Sequence, residues 1–202
     1  MKKKAFMAGL CICLMLSVTG CKGRLETLKV SEVKEETVLL RRDGSVQSGA
    51  YETFDKSYYK EDELKSFMKA EIEEYNQEHG EDKVKLTKLK IADNGSKQVA
   101  KAIVTYQDVE TFSQMNNIEA AQYTMEQAVE ANVFPEELTV AADGSRVGQD
   151  EVVKNKDYKV LVIQIKGDVL LPDTVKYYKN AMLLSSNKVE ATGEELAVIV
   201  YK

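Results

Sequence analysis

Carboxylates are the most abundant side chains in this sequence that could do chemistry, because Asp and Glu account for 33 of its 202 residues. A glycoside hydrolase uses two carboxyl groups that flank the bond it breaks. Adjacent acidic pairs include Glu35–Glu36, Glu73–Glu74, Glu136–Glu137 and Glu194–Glu195. Neighbouring side chains on a helix or strand diverge, so such pairs are typical of solvated faces. The pattern predicts no catalytic residue and favours a non-enzymatic protein, with a carboxylate-dependent cell-envelope hydrolase as the alternative.

His79 is the single histidine of the chain. It falls at the end of a predicted helix, where a histidine commonly interacts with the helix dipole. A zinc site is disfavoured, since the chain has one histidine and its three cysteines all lie within residues 1–21, which leaves only carboxylates as ligands in the rest of the chain. Nucleophile elbows, phosphate-binding loops and dinucleotide fingerprints are absent from the sequence. We therefore predict no catalytic histidine, no metal site and no cofactor.

Two tyrosine pairs, Tyr58-Tyr59 and Tyr177-Tyr178, are the candidates for partner binding. Exposed tyrosines offer large amphipathic contact areas to proteins and can stack on sugars. Tyrosine is also common in strands and at half-buried positions. We expect one member of each pair to enter the core and the other to face out. Packing at the core edge is the favoured interpretation, and a surface that binds an envelope protein or glycan is the alternative.

The N-terminal segment has the pattern of an export signal. Lys2, Lys3 and Lys4 precede an uncharged run over residues 5–18, and small residues lead to Cys21. This order of a positive region, an apolar region and small residues is typical of secretory signals. A membrane-spanning helix needs about 20 apolar residues, more than this run provides.

The residues Val18-Thr19-Gly20-Cys21 resemble the lipobox of bacterial lipoproteins. The resemblance implies that the Cys21 thiol receives a diacylglyceryl group, that residues 1–20 are removed, and that Cys21 becomes the mature N-terminus. Two or more acyl chains hold a protein stably on a bilayer. An ordinary cleaved signal followed by an incidental cysteine is the alternative. The rest of the chain resembles uncharacterised small lipoproteins of Gram-positive bacteria of the clostridial type, which implies a position on the extracytoplasmic face of the cell membrane and assigns no activity.

The composition of the mature chain limits the classes of molecule that it can bind. Removing residues 1–20 leaves 182 residues with 25 basic and 33 acidic side chains, a net charge of −8. Nucleic acid is an unsuitable partner for such a chain, because phosphate binding depends on clustered Lys and Arg. Cys11 and Cys13 lie in the signal and Cys21 would carry the lipid. No thiol then remains for disulfides, so the fold must depend on packing.

Turn and periodicity signals predict the elements that position these residues. Residues 37–42 and 46–52 flank Asp43-Gly44-Ser45, and residues 84–91 and 99–106 flank a second turn at 93–96. Both patterns are typical of β-hairpins, and a phase slip between Leu86 and Leu89 indicates a β-bulge.

One long amphipathic helix is predicted over residues 60–79. Its apolar stripe is formed by Leu64, Phe67, Met68, Ile72 and Tyr75. Because a buried Phe is costly to remove, we expect Phe67→Ala to lower the free energy of unfolding by about 3–5 kcal/mol. Two shorter helices are predicted, one capped by Asp108 and ending near Met115, and one opened by a Thr124/Gln127 capping box.

The last third of the chain returns to strands. These are predicted at 138–141, 146–147, 158–165, 175–178, 188–191 and 196–201. The run 160–163 is apolar at consecutive positions, which is typical of a strand buried on both faces. Strands in groups with helices between them predict an α+β fold with a mainly antiparallel sheet.

The predicted organisation is a signal peptide at 1–20, a lipid-anchored tether at 21–36 and a single extracytoplasmic α+β domain at 37–202. The favoured function is a binding or interaction module attached to the lipid bilayer through acylated Cys21. The alternatives are the hydrolase described above and the solute receptor of a transporter, which is disfavoured because such receptors usually have two lobes and a longer chain.

Overall fold

The computed structural model of the protein describes residues 27–56, 58–93, 95 and 97–202, which form an α+β fold. The strands are β1 (Thr37–Leu40), β2 (Val46–Thr53), β3 (Val84–Asp93), β4 (Gln98–Tyr106), β5 (Ala120–Thr124), β6 (Glu137–Val140), β7 (Arg146–Gly148), β8 (Lys159–Ile163), β9 (Lys166–Leu170), β10 (Val175–Lys179), β11 (Ala181–Ser185), β12 (Lys188–Thr192) and β13 (Ala197–Tyr201). The helices are α1 (Glu61–His79), α2 (Val109–Asn116), α3 (Met125–Glu130) and α4 (Gln149–Val152). The predicted signal peptide and Cys21 lie outside the described residues.

The strands form two sheets. The seven-stranded sheet has the order β11-β12-β9-β1-β2-β4-β3, and the six-stranded sheet has the order β5-β8-β13-β10-β6-β7. Strands β1 and β9 pair in parallel, and the other strand pairs of the described chain are antiparallel. The prediction of a mainly antiparallel α+β fold is therefore confirmed.

The central core lies between the two sheets. Alternate residues of β1, Val38 and Leu40, meet alternate residues of β8 and β13, such as Leu161 and Ile199, in one buried cluster. All four are at most 2% exposed. Because side chains alternate between the faces of a strand, the remaining residues of these strands point away from this core.

A second apolar layer covers each sheet from outside. Helices α3 and α4 place Met125, Ala128 and Val152 on the six-stranded sheet, against Val160 and Val162 of β8. Strand β8 is therefore buried on both faces, as its apolar run predicted.

The outer face of the seven-stranded sheet is partly covered by the segment 27–36. Leu28 and Val33 are 7% and 1% exposed and pack on Leu39 and Ile103. A Cβ atom on Gly49 would lie 2.8 Å from Val33 Cγ2, so the segment approaches the sheet where a side chain is missing. The described half of the predicted tether is thus packed against the domain.

Helix α1 has the predicted bounds to within one residue, but a different buried face. Ile72 is buried, and Met68 and Tyr75 pack against the central core. Phe67 is 63% exposed, so its predicted place in the core is wrong. At 3.6 residues per turn, Phe67 lies about 140° around the helix from Ile72. The helix contacts the sheet by a strip too narrow to include it.

Several local predictions are confirmed. The Thr124/Gln127 capping box is present, the Asp108 side chain accepts from the Thr111 N–H, and β3 bulges between Leu86 and Lys88. The sequence did not predict β5, β9, β11 or α4. No helix in the described part of the chain is long and apolar enough to cross a membrane.

Candidate functional site

The exposed Tyr58 and Tyr59 and the half-buried Phe54 form a group of adjacent rings that we call the aromatic surface. Tyr58 and Tyr59 are 68% and 42% exposed. Their ring centroids lie 4.9 Å apart at 81°, and the Phe54 ring lies 5.0 Å from Tyr59. The expectation that one tyrosine of this pair would enter the core is wrong, because both keep a large part of their area in solvent.

The aromatic surface lies on the connection between β2 and α1. The Phe54 N–H donates to the Gln98 carbonyl at 2.8 Å, and the Tyr59 N–H donates to the Lys56 carbonyl at 3.0 Å. Strand pairing therefore fixes the start of this connection, and a local turn presents the two tyrosines. The ion pairs Lys97–Asp55 (3.8 Å) and Lys60–Glu63 (2.8 Å) involve residues at either end.

Tyr177 and Tyr178 occupy a different environment. They are consecutive residues of β10 and point to opposite faces of the six-stranded sheet. Tyr178 packs on the central core, whereas Tyr177 packs on the outer cluster beneath α3 and α4, with its ring 6.4 Å from that of Tyr158. Both are half-buried, so this pair does not present one shared surface.

His79 ends α1, as predicted. Its ring stacks on Tyr75 at 4.3 Å, and its Nε2 lies 3.9 Å from Glu78 Oε2. Among the described residues, no group of three or more His, Cys, Asp or Glu side chains is placed to hold a metal ion.

Glu36 is the carboxyl group that bears on the hydrolase alternative. Partial burial raises its pKa, and the negative charge of Glu52 raises it further. Of the acidic neighbours noted in the sequence, Glu35–Glu36 therefore contributes one perturbed member, whose interacting partner is Glu52 and not Glu35.

An ion pair between a buried carboxylate and a half-buried lysine on the outer face of the seven-stranded sheet was not predicted. The Asp168 side chain on β9 is 10% exposed, and its Oδ2 lies 2.5 Å from Lys188 Nζ on β12. Its other oxygen, Oδ1, is buried and has no hydrogen-bond partner among the described residues. A buried polar atom without a partner is rare in folded proteins and asks for an explanation.

The ion pair lines a cavity of about 200 Å³ beneath the segment 27–36. Its apolar lining residues are Leu28, Val33 and Leu170, and its polar ones are Glu32, Thr37, Asp168 and Lys188. Thr37 lies beside Asp168 in the parallel register, and Glu190 lies opposite it on β12. The hydroxyl of Thr37 donates to the Glu35 carbonyl at 3.1 Å.

Sequence reasoning missed Asp168 because Gly167 and Asp168 are poor strand formers by propensity. Gly167 has φ 145°, and a Cβ there would lie 2.3 Å from the Glu36 carbonyl oxygen. A glycine inside a strand often marks a close backbone approach, and this is the signal that could have located β9.

Comparisons with protein-family models, with curated proteins and with solved structures found no match to this chain.

Proposed function

We propose that the protein is a lipid-anchored lipoprotein on the extracytoplasmic face of the cell membrane that acts as a non-enzymatic binding module. Its partner is a protein of the cell envelope, which it contacts through the aromatic surface. The observation that carries the proposal is the exposure of Tyr58 and Tyr59 side by side, at 68% and 42%. Tyrosine is enriched among the residues that contribute most to protein interfaces.

The geometry of the aromatic surface favours a protein over a glycan. The two tyrosine rings meet edge to face at 81°. They do not form one flat platform of the kind on which a sugar ring stacks. The charged residues nearby carry both signs, since Asp55 and Glu63 are paired with Lys97 and Lys60. A mixed rim around an aromatic centre is the usual composition of a protein interface.

The packed segment 27–36 bears on how the domain would be held. If Cys21 carries the lipid, seven residue steps separate it from buried Leu28. At up to 3.6 Å per residue, the anchor lies within roughly 25 Å of the folded body. A tether free to residue 36 would reach roughly twice as far. The proposed partner is therefore a membrane or membrane-proximal protein.

Anchoring is tested in a Gram-positive host that expresses the full chain and Cys21→Ala. We expect labelled palmitate to be incorporated into the unaltered protein, which stays with membranes, and not into the variant, which is released. Equal membrane retention without lipid labelling of either chain would contradict the anchor.

Partner binding is tested by capture from membranes with the unaltered protein and the double variant Tyr58→Ala/Tyr59→Ala. Val129→Ala is the matched control, because Val129 is an exposed apolar residue at 50% on α3, on the other sheet. We expect one saturable protein partner whose capture falls at least tenfold with the double variant and is unchanged with the control. Equal capture by all three proteins, or saturable capture of a polysaccharide alone, would overturn the proposal.

A carboxylate-dependent hydrolase is the second candidate, favoured by the raised pKa of Glu36 beside Glu52. It requires both carboxyl groups for turnover. Loss of activity towards cell-wall glycans in Glu36→Gln and Glu52→Gln, with binding by the aromatic surface unaffected, would favour it. The solute-receptor alternative is disfavoured by the single core cluster shared by both sheets, because such receptors bind between two separate lobes.

A further inference from the structure

We propose that the cavity between the segment 27–36 and strands β9 and β12 binds a small neutral α-amino acid, whose ammonium group meets Asp168 and whose carboxylate meets Lys188. This site is independent of the aromatic surface. It is formed by the outer face of the seven-stranded sheet and the segment that covers it.

The carboxyl group of Asp168 has one oxygen that accepts no hydrogen bond from the described residues. Its side chain is 10% exposed, Oδ2 is taken by Lys188, and Oδ1 has no partner within the described part of the chain. A buried carboxylate requires hydrogen bonds on both oxygens to offset the loss of water. The Thr37 hydroxyl lies on the neighbouring strand and donates its proton to Glu35, so its oxygen can only accept here. Asp168 and Thr37 together present acceptors to a ligand that carries several N–H groups.

Lys188 supplies the complementary donors. An ammonium group has three N–H donors, and the one ion pair to Asp168 leaves donors free. The Lys188 side chain is 32% exposed, which places it at the mouth of the cavity. An α-amino acid bound between the two residues would close a ring of four charges that alternate in sign: Asp168, Lys188, the ligand carboxylate and the ligand ammonium.

Ligands of a single charge fit less well. A simple cation at Asp168 would lie close to the ammonium of Lys188, which is bonded to the same carboxyl group. A simple anion at Lys188 would meet Asp168 in the same way. The adjacent opposite charges of an α-amino acid satisfy both residues without leaving either charge uncompensated.

The other residues that line the cavity determine the size and polarity of the ligand side chain that it accepts. Leu28, Val33 and Leu170 form apolar walls. Glu32 is engaged with Lys29 at 3.3 Å and is exposed, so it does not add an uncompensated charge. The volume of about 200 Å³ equals roughly seven water molecules at about 30 Å³ each. Alanine and valine fit this space, and the apolar walls suit their aliphatic side chains.

The test is calorimetric titration of the detergent-solubilised full-length protein with L-alanine and L-valine. Alaninamide lacks the carboxylate, N-acetylalanine lacks the ammonium group, and Ala-Ala separates the two charges. We expect saturable binding of alanine or valine and no binding of alaninamide, N-acetylalanine or Ala-Ala. Binding of alaninamide, N-acetylalanine or Ala-Ala as tightly as alanine would overturn the requirement for adjacent charges, and no binding of any α-amino acid at millimolar concentration would overturn the site.

Variants assign the binding to these residues. We expect Asp168→Asn and Lys188→Met each to weaken binding at least tenfold. Glu190→Gln is the matched control, because Glu190 lies opposite Asp168 on β12 and does not line the cavity. Circular dichroism checks that each variant is folded. If Asp168→Asn is unfolded, the binding measured with Lys188→Met decides the result. Unchanged affinity in folded Lys188→Met, or an equal loss in Glu190→Gln, would overturn the assignment.

Discussion

Thr37 and Asp168 lie side by side in the parallel register of β1 and β9, although 131 positions separate them in the chain. The Asp168 N–H donates to the Glu36 carbonyl at 3.0 Å. Strand β1 therefore positions β9, which carries the buried Asp168 carboxylate. The segment 27–36, which precedes β1, covers the cavity. The position of the candidate ligand site depends on this contact between the two ends of the domain.

Helix α1 offers a direct test of which face supports the fold. Phe67 is 63% exposed and Ile72 is 8% exposed. We expect Phe67→Ala to change the free energy of unfolding by no more than about 0.5 kcal/mol, as at an ordinary surface site. Ile72→Ala should lower it by about 2 kcal/mol or more, because it leaves a cavity in the core. Urea denaturation of both variants measures this, and equal losses would contradict the packing described.

The periodicity of α1 predicted the helix bounds but not its buried face. A stripe of Leu64, Phe67, Met68, Ile72 and Tyr75 is wider than the contact that one helix makes with the sheet. Which edge of the stripe is buried depends on how the helix lies over β3, and that is a tertiary property. Local signals such as the Thr124/Gln127 capping box were predicted correctly because neighbouring residues in the chain determine them entirely.

Gly167 is a second point where tertiary structure overrides propensity. A Cβ at this residue would lie 2.3 Å from the Glu36 carbonyl oxygen, and its φ of 145° is unfavourable for other residues. We expect Gly167→Ala to lower the free energy of unfolding by about 3 kcal/mol, from backbone strain and the separation of β9 from β1. Thermal and urea denaturation measure the change.

Gly44→Ala is the control for this prediction. Gly44 also has a positive φ, 87°, but a Cβ at this residue would meet no atom of the described residues within 4 Å. The expected loss is therefore about 1 kcal/mol, the cost of the backbone conformation alone. Equal losses at both glycines would show that the close approach to Glu36 does not matter.

The two candidate sites also differ in whether the sequence alone could locate them. The exposed pair Tyr58 and Tyr59 could be singled out from the sequence, because adjacent aromatic residues before a helix are conspicuous. Asp168 and Lys188 could not, because the 20 positions between them are bridged by the pairing of β9 with β12. One acidic residue in a chain with 33 of them carries no information until its burial is known.

The last strand is predicted to be indispensable. Strand β13 lies between β8 and β10, and its five residues are all buried. Removing residues 197–202 would expose the edges of both neighbours and delete part of both apolar clusters. We expect this truncated chain to be insoluble or unfolded by circular dichroism, whereas Lys202→Ala should fold. A soluble truncated chain with an unchanged melting temperature would contradict the topology.

Glu36 should make stability fall as the pH rises. Burial and Glu52 raise its folded pKa above the unfolded value, so the folded state binds the proton more tightly. The stabilisation that comes from this tighter proton binding is fully present below the unfolded pKa, about 4.3, and is lost as the pH rises through the folded pKa. We expect Glu36→Gln to be more stable than the unaltered protein at pH 7 and to lose that advantage near pH 4. Thermal melts across this range measure the difference, with Glu35→Gln as the control.

The turns at Asp43 and Asp143 should have the opposite pH dependence. In each, the aspartate Oδ1 accepts from the hydroxyl and the backbone N–H of the serine two residues later, at 2.6 and 3.0 Å to Ser45 and 2.7 and 2.9 Å to Ser145. These hydrogen bonds, the serine hydroxyl first, lower the pKa of both carboxyl groups. The stabilisation from these hydrogen bonds is therefore present above the unfolded pKa, about 3.9, and is lost as the pH falls through the folded pKa.

Replacing the serines tests this directly, because it removes the largest cause of the shift and keeps the carboxylates. We expect Ser45→Ala and Ser145→Ala to bring the pKa of Asp43 and Asp143 back towards the ordinary value, as followed by NMR titration of the carboxyl carbons. Each variant should be less stable than the unaltered protein at pH 7, and this difference should shrink as the pH falls through the folded pKa of the carboxyl group. A stability difference that persists unchanged at low pH would show that the serines act through the turn backbone alone.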